Sequence, residues 1–402
     1  MAGHCPVLTA DAAASTAEQL AAEFAVGAAD RDRRRELPHR EIQRLSASGL
    51  LAITVPRDHG GADLPLSVVA EVIRILASGD PNIAQIPHSH FNYLNLLRLA
   101  GSESQSRRYG TEVLRGALIA NAQAERNGPT AADVATTLRP QDGRLRIDGT
   151  KYYCTGSLFA DILAVLTRLD DPHGITGLPG GQYVAFLPAD TAGVRIIDDW
   201  DALGQRTTGS GTIVFDGVVV EADQVVARAP AVGAPTGYGS FAQLMHAAID
   251  AGIARGALEA AAAFVRDRSR PWFEAGVERA ADDPLVIQRF GELAVSVRAA
   301  EAALSVAGAA VDTAVGDPGP DSAAQASLTV ATAKILADNA ANDVSSALFE
   351  VAGTRSTAAD LNLDHFWRNA RTHTVHDPVR WKYQHIGRAV LHGTPPPLHS
   401  AI

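Results

Sequence analysis

Apolar positions in the first quarter of the chain follow the spacing of α-helices. Leu20 and Phe24 fall on one helix face, and the apolar residues of 68–75 form a second such face. Two clusters of Gly, Pro and Asp interrupt the pattern, at residues 56–61 and 79–81. This part of the chain therefore predicts several helices joined by short loops.

Between residues 118 and 226 apolar and polar residues alternate, as they do in β-strands. The pairs Asp142-Gly143 and Asp148-Gly149 flank residues 144–147, a pattern that predicts a hairpin. Further strands are predicted at 151–155, 162–167, 182–187, 193–197 and 212–215, the last closed by Asp216-Gly217. Short strands joined by turn residues in about 100 residues predict a compact antiparallel barrel or sandwich.

After residue 240 the helical period returns in three long stretches, at 241–268, 284–315 and 322–351. Gly353 follows the last of them as its expected C-cap. Lengths near 30 residues with many alanines predict an antiparallel four-helix bundle that is extended by self-association. We therefore predict an α+β protein with an N-terminal helical domain (1–117), a central antiparallel β-barrel (118–230) and a C-terminal helical bundle (231–402).

Composition and charge narrow the class of protein. The 402 residues carry a net charge of −10 without any basic run, which argues against a nucleic-acid partner. Cys5 and Cys154 form neither a disulfide framework nor a CxxC pair, so a reducing cytoplasm is expected. Neither a signal peptide nor an apolar run of 18 residues is evident, so we expect no membrane partner.

Candidate site residues concentrate in residues 368–378, which contain two histidines, an aspartate and two arginines. Pro378 disfavours helical backbone at Asp377, so a helix is expected to end there, where side chains can be aimed at a ligand. The alternative is a solvated helix end with cations near its negative pole. Upstream, His88, Asn92 and Asn95 share one face of an apolar helix, which either borders a cavity or faces solvent.

Other motifs are weaker. Residues 151–157 combine aromatic and hydroxyl side chains at a strand end. They form either an ordinary strand or a strand end that lines the edge of a bound planar heterocycle. Residues 266–272 carry three arginines, which can hold a phosphate or lie solvated at a helix end. The dinucleotide, P-loop, GxSxG and HExxH motifs are absent. His373 and His376 lie at a spacing that metals accept, but with one acidic neighbour, so no metal is expected.

Together these stretches resemble the acyl-CoA dehydrogenase fold over nearly the whole chain. Gly149-Thr150-Lys151 with Thr155-Gly156 resembles the flavin-contacting strand of that superfamily, and residues 203–216 resemble its second barrel signature. Motifs at 85–91, 198–200, 204–208, 246–255 and 368–382 are similar to the sulfur-acquisition oxidoreductases, relatives of dibenzothiophene monooxygenase, in the flavin-dependent monooxygenase branch.

One departure from the dehydrogenases bears on the chemistry. Where those enzymes place a catalytic Glu before Gly-Thr, this chain has His376-Asp377-Pro378. The resemblance implies that His376 is catalytic, with His90 as the second catalytic histidine and His88 as the alternative to it. It also implies these cofactor-binding residues: Asn121, Tyr153, Thr155, Gly156, Ser157, Trp200, Arg268, Thr354, Arg355 and His376.

The implied function is that of a two-component monooxygenase dependent on reduced FMN. A separate NAD(P)H:flavin reductase would supply the FMN, and O2 would react through a flavin C4a-hydroperoxide to oxygenate an organosulfur compound. The resemblance also implies a homotetramer, with Thr354 and Arg355 reaching the cofactor of a neighbouring subunit. The alternatives are an FAD-dependent acyl-CoA dehydrogenase with Asp377 as base, a monooxygenase that N-hydroxylates an amine, and a flavin-binding protein without turnover.

Overall fold

The computed structural model describes residues 5–126, 128, 130 and 132–399. The outer ends of the first and third predicted domains, 1–4 and 400–402, lie outside the described residues. The helices are α1 Ala10–Ala25, α2 Ala28–Arg34, α3 His39–Ala47, α4 Leu66–Gly79, α5 Pro81–Gln85, α6 His88–Ala100, α7 Glu103–Leu114, α8 Ala229–Val232, α9 Tyr238–Asp267, α10 Pro284–Gly316, α11 Pro320–Ala352, α12 Asp364–His373 and α13 Val379–His392. The strands are β1 Ile119–Ala122, β2 Thr137–Gln141, β3 Arg144–Lys151, β4 Ile162–Leu169, β5 Gln182–Pro188, β6 Val194–Ile197, β7 Thr212–Val220 and β8 Val225–Ala227.

The chain turns between α4 and α5, shortly before the candidate histidines of α6. Asp80 has extended backbone, and its carboxylate accepts a hydrogen bond from the Asn82 N–H at 3.0 Å, while Pro81 occupies the first turn of α5. Gly79 lies against α1 so closely that a Cβ there would stand 2.2 Å from the Ala21 carbonyl oxygen. The predicted interruption at 79–81 is therefore a capped turn between two packed helices.

The sheet is mixed and open, which corrects the expected closed antiparallel barrel. Its strand order is β6-β7-β3-β2-β4-β5-β8. β1 also pairs with β4, at residues 162–165, before the part of β4 that pairs with β2. Both β1 and β2 run parallel to β4. The other strand pairs are antiparallel.

Of the three Asp-Gly pairs in the sheet region, one forms a turn and two lie within continuous strands. Asp142 and Gly143 both have positive φ and join β2 to β3, which confirms that hairpin turn. Asp148-Gly149 is not a turn: β3 continues through it with a register shift against β7. The separate strand expected at 151–155 is absent, because β3 ends at Lys151 and a loop follows. β7 likewise continues through Asp216-Gly217.

The C-terminal half contains the three long helices that the sequence predicts. α9, α10 and α11 pack against one another through small residues, α13 lies on α11, and α4 of the N-terminal region completes the core against α9 and α10. Gly353 ends α11 with φ +75°, as expected for a C-cap. Among the described residues α10 is the one helix whose length and apolar composition would allow it to span a membrane, with a mean hydropathy of 1.4.

Candidate active site

The start of α6 distinguishes between the two candidate histidines of that helix. His88 is partly buried, and its Nε2 lies 3.0 Å from the Ala242 carbonyl oxygen of α9. His90 is fully buried: its Nε2 is 2.8 Å from the Leu51 carbonyl oxygen, and its Nδ1 accepts a hydrogen bond from the Ile119 N–H. Backbone groups therefore contact both ring nitrogens of His90, whereas the Ala242 carbonyl contacts only Nε2 of His88.

Asn121 lies at the end of β1, beside the start of α6. Its Nδ2 donates to Ser89 Oγ at 2.9 Å, next to His88. Its buried Oδ1 has no hydrogen-bond partner among the described residues. A buried amide oxygen without a partner is costly, so it indicates a ligand donor or an ordered water at this position.

The segment after β3 forms the polar edge beside Asn121. Gly156 has φ +81°, and a Cβ there would lie 3.3 Å from Ile86, just before α6. The hydrogen bonds of this edge are Thr155 Oγ1 with Ser210 Oγ at 2.8 Å, Gly156 N–H to the Thr208 carbonyl at 2.9 Å, and Ser157 Oγ to the Gly209 carbonyl at 3.2 Å. The loop before β7 therefore holds this edge in place.

Two aromatic side chains stand near this edge. Tyr153 is half exposed with φ +56°, and its ring contacts Trp200 edge-on at a centroid distance of 6.1 Å. Trp200 Nε1–H donates to the Gln205 carbonyl at 2.7 Å, and the Gln205 N–H donates to Asn369 Oδ1 at 2.7 Å. These contacts join the sheet to α12, the helix that ends three residues before His376.

Three imidazole rings stack where α6, α9 and the end of α12 meet. His246 of α9 lies between His88 and His376, with ring centroids 4.1 Å and 4.0 Å away. His376 is half exposed at its side chain, whereas His246 is buried. The structure therefore brings His376 and His88 to opposite faces of one ring that the sequence analysis did not select.

A chain of buried polar contacts continues from His246. Its Nδ1 is 3.1 Å from Nε2 of His373, and Nδ1 of His373 is 2.6 Å from Asp250 Oδ1. Lys334 donates to Asp250 Oδ2 at 2.9 Å. Burial lowers the pKa of His88 to about 3 and holds the pKa values of His246 and His373 well below the usual range. These three rings are therefore neutral at pH 7.

Asp377 lies between the imidazole of His376 and the ammonium group of Lys382. Its carboxylate is 3.4 Å from Nδ1 of His376 and 3.4 Å from Nζ of Lys382. Burial opposes its ionisation, but the hydrogen bond with His376 and the charges of Lys334 and Lys382 outweigh burial and hold the pKa of Asp377 below its usual range. A carboxylate stabilised in this way is a poor base.

The arginine candidates lie elsewhere in the same chain. Arg268 ends α9, 22 positions after His246, which corresponds to about 33 Å along the helix. Arg355 Nη1 donates to the Arg268 carbonyl at 2.6 Å, and Thr354 begins a short 3₁₀ turn after Gly353. Arg268, Thr354 and Arg355 thus lie together, but far from the histidines of their own chain.

Sequence reasoning did not select His246, Asp250 or Lys334 for the site. A signal was present, because His246 and Asp250 are four positions apart in the otherwise apolar stretch 244–254 and so share one helix face. In the part of the chain that the structure describes, no three His, Cys, Asp or Glu side chains are arranged to hold a metal ion.

The chain resembles known proteins over nearly its whole length. Acyl-CoA dehydrogenase models match the chain: the N-terminal domain at 9–117, the middle domain at 121–218 and the C-terminal domain at 244–381. The chain is 35% identical to dibenzothiophene monooxygenase of Rhodococcus qingshengii, covering 95% of this chain and 94% of that one. It is 30% identical to a probable FMNH2-dependent monooxygenase, SfnC, of Pseudomonas putida, over 96% of both chains. FMN-bound TdsC from Paenibacillus sp. A11-2 superposes with a TM-score of 0.91 at 34% identity, over 97% of this chain and 100% of that one.

Proposed function

The chain belongs to the acyl-CoA dehydrogenase family, in its flavin-dependent monooxygenase branch, and from this membership we propose that it is a reduced-FMN-dependent monooxygenase that oxygenates an organosulfur compound. The relatives support both halves of the proposal, since one is named for dibenzothiophene and one for FMNH2. A separate NAD(P)H:flavin reductase is then the source of the reduced cofactor.

The observation that carries the proposal is the histidine stack. A dehydrogenase of this family needs an unencumbered carboxylate base, and Asp377 is instead tied to His376 and Lys382. The half-exposed imidazole of His376 is a side chain of the kind that serves as a general acid or base. This argues for oxygenation with His376 and His88 as the catalytic histidines, and against the dehydrogenase alternative.

The residues beside the stack fit a flavin ring. The partnerless Oδ1 of Asn121 can accept a hydrogen bond from a ring N–H, and Ser157 and the backbone of Gly156 line the same edge. Tyr153 and Trp200 offer aromatic surface to a planar heterocycle, and Thr155 holds the loop before β7. Bound reduced FMN supplies the electrons that activate O2, and these residues would bind it and exclude water.

We propose a homotetramer in which the cofactor site is shared between subunits. Two helices expose apolar side chains that a partner subunit would cover: Leu285, Ile287, Val295 and Val306 on α10, and Val390 and Leu391 on α13. Sharing also accounts for the separation of about 33 Å between His246 and Arg268, because a second copy would bring Arg268, Thr354 and Arg355 to the phosphate.

The remaining proposals concern organisation and location. We keep the domain division at 1–117, 118–230 and 231–402, and we propose that the protein works in the cytoplasm with no nucleic-acid or membrane partner. The net charge of −10 supports the absence of a nucleic-acid partner. The two cysteines, both free, fit a reducing compartment.

We predict that the protein oxygenates sulfur compounds only when reduced FMN is supplied. The sequence contains no dinucleotide-binding fingerprint, so NADH is expected to have no effect by itself. The assay incubates the protein with FMN, NADH, O2 and dibenzothiophene or small alkyl sulfides and sulfinates, with and without an added NADH:FMN reductase. Sulfur oxidation that requires the reductase, or chemically reduced FMN, supports the proposal.

Three other outcomes of this assay would contradict the proposal. Rapid reduction of bound flavin by NADH without a reductase would exclude a two-component enzyme. Bleaching of tightly bound FAD by an acyl-CoA under anaerobic conditions would indicate a dehydrogenase. Conversion of an amine to a hydroxylamine, with no sulfur compound oxidised, would favour the N-hydroxylating alternative.

A second prediction concerns the phosphate. Arg268→Ala is expected to weaken binding of reduced FMN roughly ten- to a hundredfold, since a charge-assisted hydrogen bond contributes about 1.5–3 kcal/mol. The thermal midpoint of the cofactor-free protein should not change, because Arg355 bonds to the Arg268 carbonyl and not to its side chain. Anaerobic FMN titration measures the affinity. Arg279→Ala, at an exposed arginine paired with Asp282, is the control; equal affinities for the two variants would remove Arg268 from the site.

A further inference from the structure

The buried contacts behind His246 determine where its proton lies. Asp250 faces the ammonium group of Lys334 at 2.9 Å, so it acts as a carboxylate and only accepts hydrogen bonds. Nδ1 of His373, 2.6 Å from Asp250 Oδ1, must therefore carry the proton of that ring. Nε2 of neutral His373 is then an acceptor, and Nδ1 of His246 at 3.1 Å must donate to it.

The same reasoning fixes the two outer rings of the stack. His88 donates from Nε2, because its neighbour at 3.0 Å is the carbonyl oxygen of Ala242. His376 faces the Asp377 carboxylate with Nδ1, at 3.4 Å. His246 is thus the one ring of the stack whose tautomer depends on a relay through another histidine.

We propose that Asp250 and His373 are positioning residues which fix His246 as the Nδ1–H tautomer and lock its ring plane, so that the ring faces of His88 and His376 are held on either side of it. The effect on oxygenation rests on the proposed function, whereas the tautomer of His246 does not. His246 then acts as an uncharged ring that fixes the positions of His88 and His376, whose ring centroids lie 4.1 Å and 4.0 Å from its own.

We call the hydrogen-bonded series Asp250–His373–His246 the relay. The charged groups around it are consistent with a neutral His246. From α11, Lys334 also donates to Asp338, and burial together with the charge of Asp250 raises the pKa of Asp338. Asp377 and Lys382, next to His376, form a second ion pair. Burial, and then the neighbouring rings and Lys334, lower the pKa of His246 and so keep it uncharged. The relay therefore orients a ring that stays uncharged at neutral pH.

Asp250→Asn is the informative variant. Lys334 would hold the amide oxygen of the new side chain, and its NH2 group would then face Nδ1 of His373. That nitrogen would have to become an acceptor, which moves the protons of His373 and His246 to their Nε2 atoms. Asp338→Asn is the matched control, because it removes a carboxylate from the same lysine but contacts neither ring.

Neutron diffraction from crystals of the perdeuterated, cofactor-free protein locates these protons directly. Deuterium is expected on Nδ1 of His246 and His373 in the wild type and in Asp338→Asn, and on Nε2 of both rings in Asp250→Asn. Deuterium on Nε2 of His246 in the wild type overturns the proposal even if the variant does not fold. Unchanged tautomers in Asp250→Asn also overturn it.

Kinetics separate this inference from the proposed function. Asp250→Asn is expected to lower kcat for sulfur oxygenation roughly 10- to 100-fold, the range found for groups that orient functional histidines in metal sites, with KM unchanged. Asp338→Asn should keep the wild-type kcat. If no sulfur compound is oxygenated but the tautomers are as stated, the proposed function fails and the relay stands. If oxygenation is normal in Asp250→Asn, the relay has no role in it.

Discussion

His376→Ala is expected to lower sulfur oxygenation by at least about 100-fold, the lower end of what a positioned general acid or base contributes. The side chain is half exposed at the edge of the histidine stack, so its loss should leave the fold and the assembly intact. Reduced FMN should still react with O2, but the oxygen would be released as hydrogen peroxide. Product and peroxide are measured together against the reduced FMN consumed.

The control for this variant is His392→Ala, at an exposed histidine that ends α13. It is expected to couple FMN oxidation to product as the wild type does. His88→Ala should behave like His376→Ala. His90→Ala should instead lower the stability of the fold, because both ring nitrogens of His90 bond to backbone groups. Full coupling in His376→Ala would make His376 a structural residue and would refute our assignment.

The sequence predicts those elements whose signals are local. The three long helices and the Gly353 cap depend on residues within a few positions of each other, and all four are found. The turn at Asp142-Gly143 is equally local. The second Asp-Gly pair has the same composition but continues as a bulge, because β7 pairs with β3 on both sides of it. Tertiary pairing there overrides the local turn preference.

The features that the sequence does not predict are those that depend on long-range contacts. The parallel pairing of β1 with β4 joins segments that no alternation pattern connects, so the sheet was expected to be antiparallel. His246 meets His373 across 127 positions, and neither residue has a neighbour in sequence that indicates the other. His88 and His90 differ by two positions on one helix, and their roles are distinguished by a carbonyl of α9 and by backbone groups around His90. Periodicity does not contain this information.

Mild acid is expected to destabilise the protein between pH 6.5 and 5. Burial lowers the pKa of His88 to about 3 and of His90 to about 4, and it also lowers the pKa values of His246, His365 and His373. In the unfolded chain these histidines titrate near 6.5. Below that pH the unfolded state binds more protons than the native state, so the free energy of unfolding falls as pH falls. For His88 the loss ends near pH 3, where the folded protein also takes up the proton.

The expected loss in the free energy of unfolding follows from the number of buried histidine rings. Each histidine whose folded pKa is far below 6.5 contributes a loss of about 1.2 kcal/mol between pH 7 and 5.5, and several act together. Asp377 does not contribute in this window, because a carboxylate with a lowered pKa loses its stabilising effect only below about pH 4. Asp338 acts in the opposite direction and offsets part of the loss, because burial and the charge of Asp250 raise its pKa, so that the folded state holds a proton which the unfolded chain has released. Urea unfolding at pH 7.0, 6.0 and 5.5 measures the change.

His246→Phe keeps an aromatic ring between His88 and His376 but removes one titrating group. Its stability should therefore depend less steeply on pH, by roughly 1.2 kcal/mol over the same interval, whatever its stability at pH 7. His173→Gln, at an exposed loop histidine, should retain the wild-type slope. Stability that is constant from pH 7 to 5.5, or a His173→Gln variant with the reduced slope, would mean that the buried rings are not kept neutral by the fold. The acid sensitivity and the stack have one cause, since the burial that keeps His246 uncharged also makes its protonation incompatible with the native packing.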